Sequence, residues 1–201
     1  MALKTKVKVG KITNLSDARY CSGMSVDFLG FPISSAGLTL DLKNYREITG
    51  WVSGPAFVLE WKSEEIPHDF QEMIQPYNAD YFEVSARQLE KIPPVKNRLM
   101  VNLKVEDWHS LRPVLNGHKD RIHCLILKSL EGDVINSPVV REIAREFSVL
   151  LGFGITKKNL AALLTLPIAG FALEGTKEDK PGFKEYLALS EILEALEVPE
   201  S

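Results

Sequence analysis

Apolar runs of strand length alternate along this chain with stretches of helical spacing. The runs are VKVGKI (7–12), VDFLGF (26–31), AFVLEW (56–61), ADYFEV (79–84), RLMVNLKV (98–105), HCLILKS (123–129), SVLLGF (148–153) and IAGFALE (168–174). Several are apolar nearly throughout. That is the pattern of strands covered on both faces, not of strands with one wet face.

The stretches between them carry helix signals. Asn14 is placed to cap a first helix, with Asp17 three residues on as its capping-box partner. SEEIPHDFQEMIQPY predicts a helix interrupted by Pro67 and ended near Pro76. EDWHSLRPVL sets Trp108, Leu111 and Leu115 on one face. SPVVREIAREF starts with Pro138 in the first turn, where a missing N–H costs nothing. TKKNLAALLTL and GFKEYLALSEILEAL read as amphipathic helices.

Strands separated by single helices pair in parallel through right-handed crossovers. Eight such units predict an α/β fold, a closed (β/α)₈ TIM barrel, as one domain over residues 1–201. An open doubly wound sheet is the competitor. It usually needs fewer strands or a long edge excursion, and the chain offers neither. No linker or low-complexity stretch marks a second domain.

Composition narrows the function classes. The 201 residues are 45% hydrophobic and 25% charged, with a formal net charge of -3 and interspersed signs. No basic stripe points to nucleic acid. No run reaches the length of a membrane span, and MALKTKVKVG has no apolar signal-like core. Cys21 and Cys124 fall in a helical and a strand pattern. They read as reduced packing residues of a cytoplasmic protein. No Cys/His spacing reads as a zinc site, and no cofactor is expected. A monomer or homodimer is the expected state.

Five short motifs carry a resemblance. Lys8-Val9-Gly10-Lys11-Ile12-Thr13 followed by NLSDAR is similar to a strand and loop that reads Lys-Ile-Cys-Gly-Ile-Thr before a capped helix. VDFLGF, ADYFEVS, LLGFGITKKNL and KPGFKE follow in matching order and spacing. On these the chain resembles the phosphoribosylanthranilate isomerase family of tryptophan biosynthesis over nearly its whole length. The resemblance implies an Amadori rearrangement, an aldose-to-ketose isomerisation of a phosphorylated ribosyl amine. It needs a general acid and a general base. By resemblance these are an Asp ending strand 6 and the Cys ending strand 1, and an Arg after strand 2 binds the anthranilate carboxylate.

The chain departs at all three places. The Cys position is Gly10, the Asp position is Lys128, and the loop after strand 2 has no Arg before Arg46. The phosphate grip differs too. The family's Gly-Gly after strand 7 is Phe153-Gly154, and its Ser-Ser-Gly after strand 8 is Glu174-Gly175-Thr176. A carboxylate at Glu174 repels a phosphate held by that loop.

Barrel sites lie at the C-terminal strand ends. Here those ends carry Gly10, Lys11, Glu60, Glu83, Lys104, Lys128 and Glu174. Lys128 shares a side with Ile126 and Cys124, which by resemblance faces inward. Lys128, with Glu83, is the candidate for chemistry. The ligand-binding candidates are Lys11, Glu60, Gly154, Thr156, Glu174, Gly175 and Thr176, for a small anionic, phosphorylated or otherwise acidic molecule.

Three roles for Lys128 stay open. It pairs with Glu83 or Glu174 and holds the mouth together. It binds an anion. Or it acts as base or Schiff-base nucleophile, as in class I aldolases that carry such a lysine on strand 6. The four histidines read as structural or exposed. The three tryptophans read as packing, with Trp61 the one placed to touch a ligand. Two functions follow: a barrel silent in the parent reaction that binds an anion or a partner, or an active enzyme with replaced groups.

Overall fold

The computed structural model describes residues 2–34, 40–128, 134–175 and 187–198. Eight strands, β1 (Lys6–Gly10), β2 (Phe28–Ile33), β3 (Ala56–Trp61), β4 (Tyr81–Ser85), β5 (Arg98–Lys104), β6 (Ile122–Lys128), β7 (Val149–Leu151) and β8 (Gly170–Glu174), close into one barrel in chain order. Every neighbouring pair is parallel, including β1 with β8. The chain is a (β/α)₈ TIM barrel.

Around it lie α1 (Leu15–Gly23), α2 (Leu42–Gly50), α3 (Phe70–Ile74), α4 (Trp108–Gly117), α5 (Pro138–Glu146), α6 (Leu160–Leu163) and α7 (Leu187–Leu196). Asn14 caps α1, accepting from Asp17 N at 2.9 Å while its amide reaches Asp17 Oδ2 at 3.1 Å. Pro138 opens α5, as its missing donor allows. Trp108 and Leu115 of α4 are buried against the barrel, with Leu111 beside them.

Two helix expectations shrink. The stretch around Pro67 is not helical; α3 begins only at Phe70 and passes into a 3₁₀ turn, Gln75–Tyr77. Pro67 lacks a donor and disfavours α geometry in the residue before it. The helix expected over 156–166 contracts to α6, because Thr156 and Asn159 spend their polar groups on a turn. The part of the last predicted helix before Leu187 lies outside the described residues. Between β4 and β5 the connection is a 3₁₀ turn, Ala86–Lys91, with Ser85 and Gln88 forming a capping box.

Two apolar layers result. The larger lies between strands and helices. The smaller fills the barrel: Phe28, Val58, Met100, Cys124, Ile126, Leu150 and Ala172. At its N-terminal end the β5–β6 register shifts by one residue, so Met100 pairs with Cys124 and His123 is extra. The His123 ring lies 4.6 Å from Tyr81 and 5.9 Å from Phe28, closing that end. Burial, then Arg98 and Lys6, lower its pKa. Among the described residues no helix is long and apolar enough to cross a membrane.

Candidate functional site

Strand alternation turns Lys8, Glu60 and Glu83 into the barrel above the apolar layer. All three are at least 97% buried. Glu60 and Glu83 are direct register partners on β3 and β4, so two carboxylates stand side by side. Lys8 bridges them. Its ammonium bonds Glu60 Oε1 and lies 2.7 Å from Glu83 Oε2. Lys62, just past β3, closes the group from above, 3.0 Å from Glu60 Oε2 and 3.9 Å from Glu83 Oε1. Asn102 Nδ2 donates to Glu83 Oε1 at 2.8 Å, and the backbone N–H of Lys11 to Glu60 Oε2 at 3.2 Å.

This floor is charge-balanced, two lysines against two glutamates, as buried charge requires. Burial alone pushes the Glu60 carboxyl up, but Lys8 and Lys62 outweigh it and hold it down to about 2. Burial likewise works against the Lys8 ammonium, and Glu60 and Glu83 reverse it, raising its pKa. Glu60 is thus a fixed anion and Lys8 a fixed cation. Beneath them Cys124 is pushed up to about 12 by burial, then by Glu83, so its thiol stays protonated. Neither Cys124 nor buried Cys21 forms a disulfide.

Glycines make room for the floor. A Cβ at Gly10 would overlap Glu60 Oε1 and stand 3.1 Å from Lys8 Nζ. A Cβ at Gly30 would stand 2.7 Å from Glu60 Cδ and 2.8 Å from Lys8 Nζ. Contacts this close force a shift of one partner. Any side chain at Gly10 therefore competes with Glu60 for the same space.

Above the floor lies a rim. Glu174, at the end of β8, bonds Lys11 Nζ and lies 3.4 Å from Lys128 Nζ. These three side chains are 35–49% exposed. Burial raises the Glu174 carboxyl, but Lys11 and Lys128 win and lower it. Lys11 holds a left-handed backbone, φ 59°, at the position where the resembled motif has Gly. Lys104 is the register partner of Lys128 on β5 and is exposed.

The two residues expected to share chemistry are separated. Lys128 pairs with Glu174 at the rim, and Glu83 pairs with Lys8 on the floor. Glu60, expected among the ligand contacts, is instead consumed by lysines. The loop donors are also engaged. Thr156 N donates to Asn159 Oδ1 at 2.9 Å, Asn159 Nδ2 to Gly154 O at 2.7 Å, and Gly175 N to Gly10 O at 2.8 Å. Thr176 lies outside the described residues. Trp61 is not open to a ligand: it is buried against Phe70 and donates to Glu65 O. Trp51, expected to pack, is the exposed one, at 73%.

Lys8, Lys62 and Asn102 were not legible as site residues. Lys8 had a signal, as the Lys that opens the resembled strand motif, and β alternation from Gly10 puts it inside. Lys62 lies one residue past its strand and had none. Among the described residues no group of three or more His, Cys, Asp or Glu is arranged to hold a metal. A groove of about 830 Å³ between α3 and residues 94–97 lies away from all these charges.

No protein-family model matches the chain, and no curated protein matches it in sequence. Solved structures do match. The phosphoribosyl anthranilate isomerase from Thermotoga maritima superposes with a TM-score of 0.70 at 15% identity, covering 96% of this chain and 98% of that one. TrpF from Jonesia denitrificans gives 0.67 at 18%, covering 96% of each chain. A 3-hexulose-6-phosphate synthase from Salmonella typhimurium gives 0.63 at 12%, covering 95% of this chain and 97% of that one. At these identities the likeness establishes the fold: a barrel of the phosphoribosylanthranilate isomerase kind.

Proposed function

We propose that this barrel has lost the aldose–ketose isomerase reaction of the proteins it resembles and holds a small anionic ligand at its mouth. One observation carries the reading: the Glu60 carboxylate fills the space beside Gly10, where the resemblance implies a base. Glu60 does not replace that base. It is buried, bonded to two lysines and a backbone N–H, and anionic down to about pH 2. A base works best with a pKa near the operating pH. At the position of the implied acid stands Lys128, paired with a carboxylate.

The anion preference follows from the rim. Two lysines share the single carboxylate of Glu174, and Lys104 adds a third cation beside them. Among the described residues, cations thus outnumber carboxylates at this rim, and such an excess attracts anions. Carbonyl chemistry at Lys128 has less support. A third of its side chain is in solvent, unlike the desolvated amine used for Schiff bases.

The test is turnover of phosphoribosylanthranilate by the wild type and by Lys128→Ala, with complementation of an isomerase-deficient tryptophan auxotroph. The reading predicts no turnover and no growth. Turnover that disappears in Lys128→Ala would overturn it and make Lys128 a working replacement for the acid.

A further inference from the structure

We propose that Glu174 is a built-in occupant of the anion site, and that an incoming oxyanion displaces its carboxylate from Lys11 and Lys128. This rests on the reading of the mouth as an anion site.

Two cations from either side of β8, one after β1 and one ending β6, converge on this carboxylate. That is the arrangement an oxyanion needs, already filled from within. All three side chains are 35–49% exposed, so breaking the pairs leaves no group stranded in a dry interior. The backbones around them are pinned independently of the pairs. Gly175 N–H is bonded to Gly10 O, and Lys11 N–H to Glu60 Oε2. The Glu174 side chain can therefore swing out without disturbing the backbone that carries Lys11 and Gly175.

Lys128 is also backed by close packing: a Cβ on Gly152 would stand 2.9 Å from Leu127 O and 3.3 Å from Lys128 Nζ, so only a glycine fits behind the lysine. When Glu174 leaves, an oxyanion meets Lys11 and Lys128, with exposed Lys104 next in register. The class of ligand this selects is a compact oxyanion, either a phosphate group or a carboxylate.

The experiment is calorimetric titration of inorganic phosphate, sulfate and acetate into the full chain at constant ionic strength. The proteins are wild type, Glu174→Gln, Lys128→Ala, the Lys128→Ala/Glu174→Gln double variant and Glu106→Gln. Glu106 is an exposed acid just past β5 and controls for bulk charge. Removing a competitor paired to two half-exposed lysines tightens binding roughly tenfold in Glu174→Gln. Glu106→Gln should match the wild type, and Lys128→Ala should bind weakly with or without Glu174→Gln. Preference for phosphate and sulfate, or for acetate, assigns the ligand's acid group.

Wild-type binding that is lost in Lys128→Ala but unchanged in Glu174→Gln would overturn the displacement and leave the anion site standing. An equal gain in Glu106→Gln would do the same, by tracing the effect to net charge. No binding by either wild type or Glu174→Gln would sink the anion site itself, and the displacement with it.

Discussion

The barrel holds two lysine–glutamate clusters one layer apart, and they differ in their water. On the floor, Lys8, Glu60 and Glu83 are at least 97% buried. At the rim, Lys11, Lys128 and Glu174 are 35–49% exposed. The side-chain types are the same, though the rim's Lys128–Glu174 pair is looser, at 3.4 Å against 2.7 Å for Lys8–Glu83. Burial makes the floor a permanent fixture, because separating its charges leaves one stranded in a dry interior. Solvent makes the rim exchangeable, since water and dissolved anions can replace either partner. In the proposed reading, the floor is what excludes the parent chemistry and the rim is what takes up the anion.

The sharpest way to break this comparison is to remove the central floor cation. Lys8→Met leaves two adjacent buried carboxylates with only Lys62 above them. It should lower stability by roughly 3–5 kcal/mol, read from denaturant unfolding. A loss below about 1 kcal/mol would mean the floor is wetter than its burial suggests. Lys62→Ala sharpens the comparison from between. Its side chain is 38% exposed and bonds Glu60 from above. An intermediate loss of roughly 1–2 kcal/mol is expected in the same unfolding experiment.

Acid probes the floor without mutation. The Glu60 carboxyl is held down to about 2 in the folded protein, against an ordinary 4.5. A depressed carboxyl contributes stability that is complete above the unfolded value and is lost as pH falls through the folded one. Lys8 has the opposite shift, so its contribution is complete below 10.5 and fades above it. Stability should therefore fall between about pH 4.5 and 2, with a shallower slope in Glu60→Gln. Equal slopes would remove Glu60 as the cause. The smallest effect belongs to the rim: Glu174→Gln should cost under about 1 kcal/mol, and less still in high salt.

Much of the fold was legible because eight apolar runs of strand length need eight covers. β3 was bounded correctly at Ala56–Trp61. The errors fell where local chemistry competes with propensity, at Pro67 and at the Thr156–Asn159 turn. The site was legible in part. Alternation put Lys128 on one side with Cys124 and Ile126, the resemblance turned that side inward and made Glu174 a candidate partner, and the motif placed Gly10 where a Cys is implied. Lys8 stayed hidden because a lysine in an apolar strand usually points to solvent. Only the closed barrel brings β1 within reach of β3 and β4. The fit between Gly10, Gly30 and Glu60 was out of reach for the same reason. It depends on which side chain crosses the barrel, and no local pattern encodes that.

That fit is the centre of the account, and a double-mutant cycle measures it directly. Unfolding free energies are needed for wild type, Gly10→Cys, Glu60→Ala and the double variant. The account predicts that Gly10→Cys costs roughly 1–3 kcal/mol in the wild type, where the new side chain collides with Glu60. In the Glu60→Ala background the same change should cost almost nothing. Additive costs would contradict it, and would mean that Glu60 does not occupy the space a strand-1 base would use.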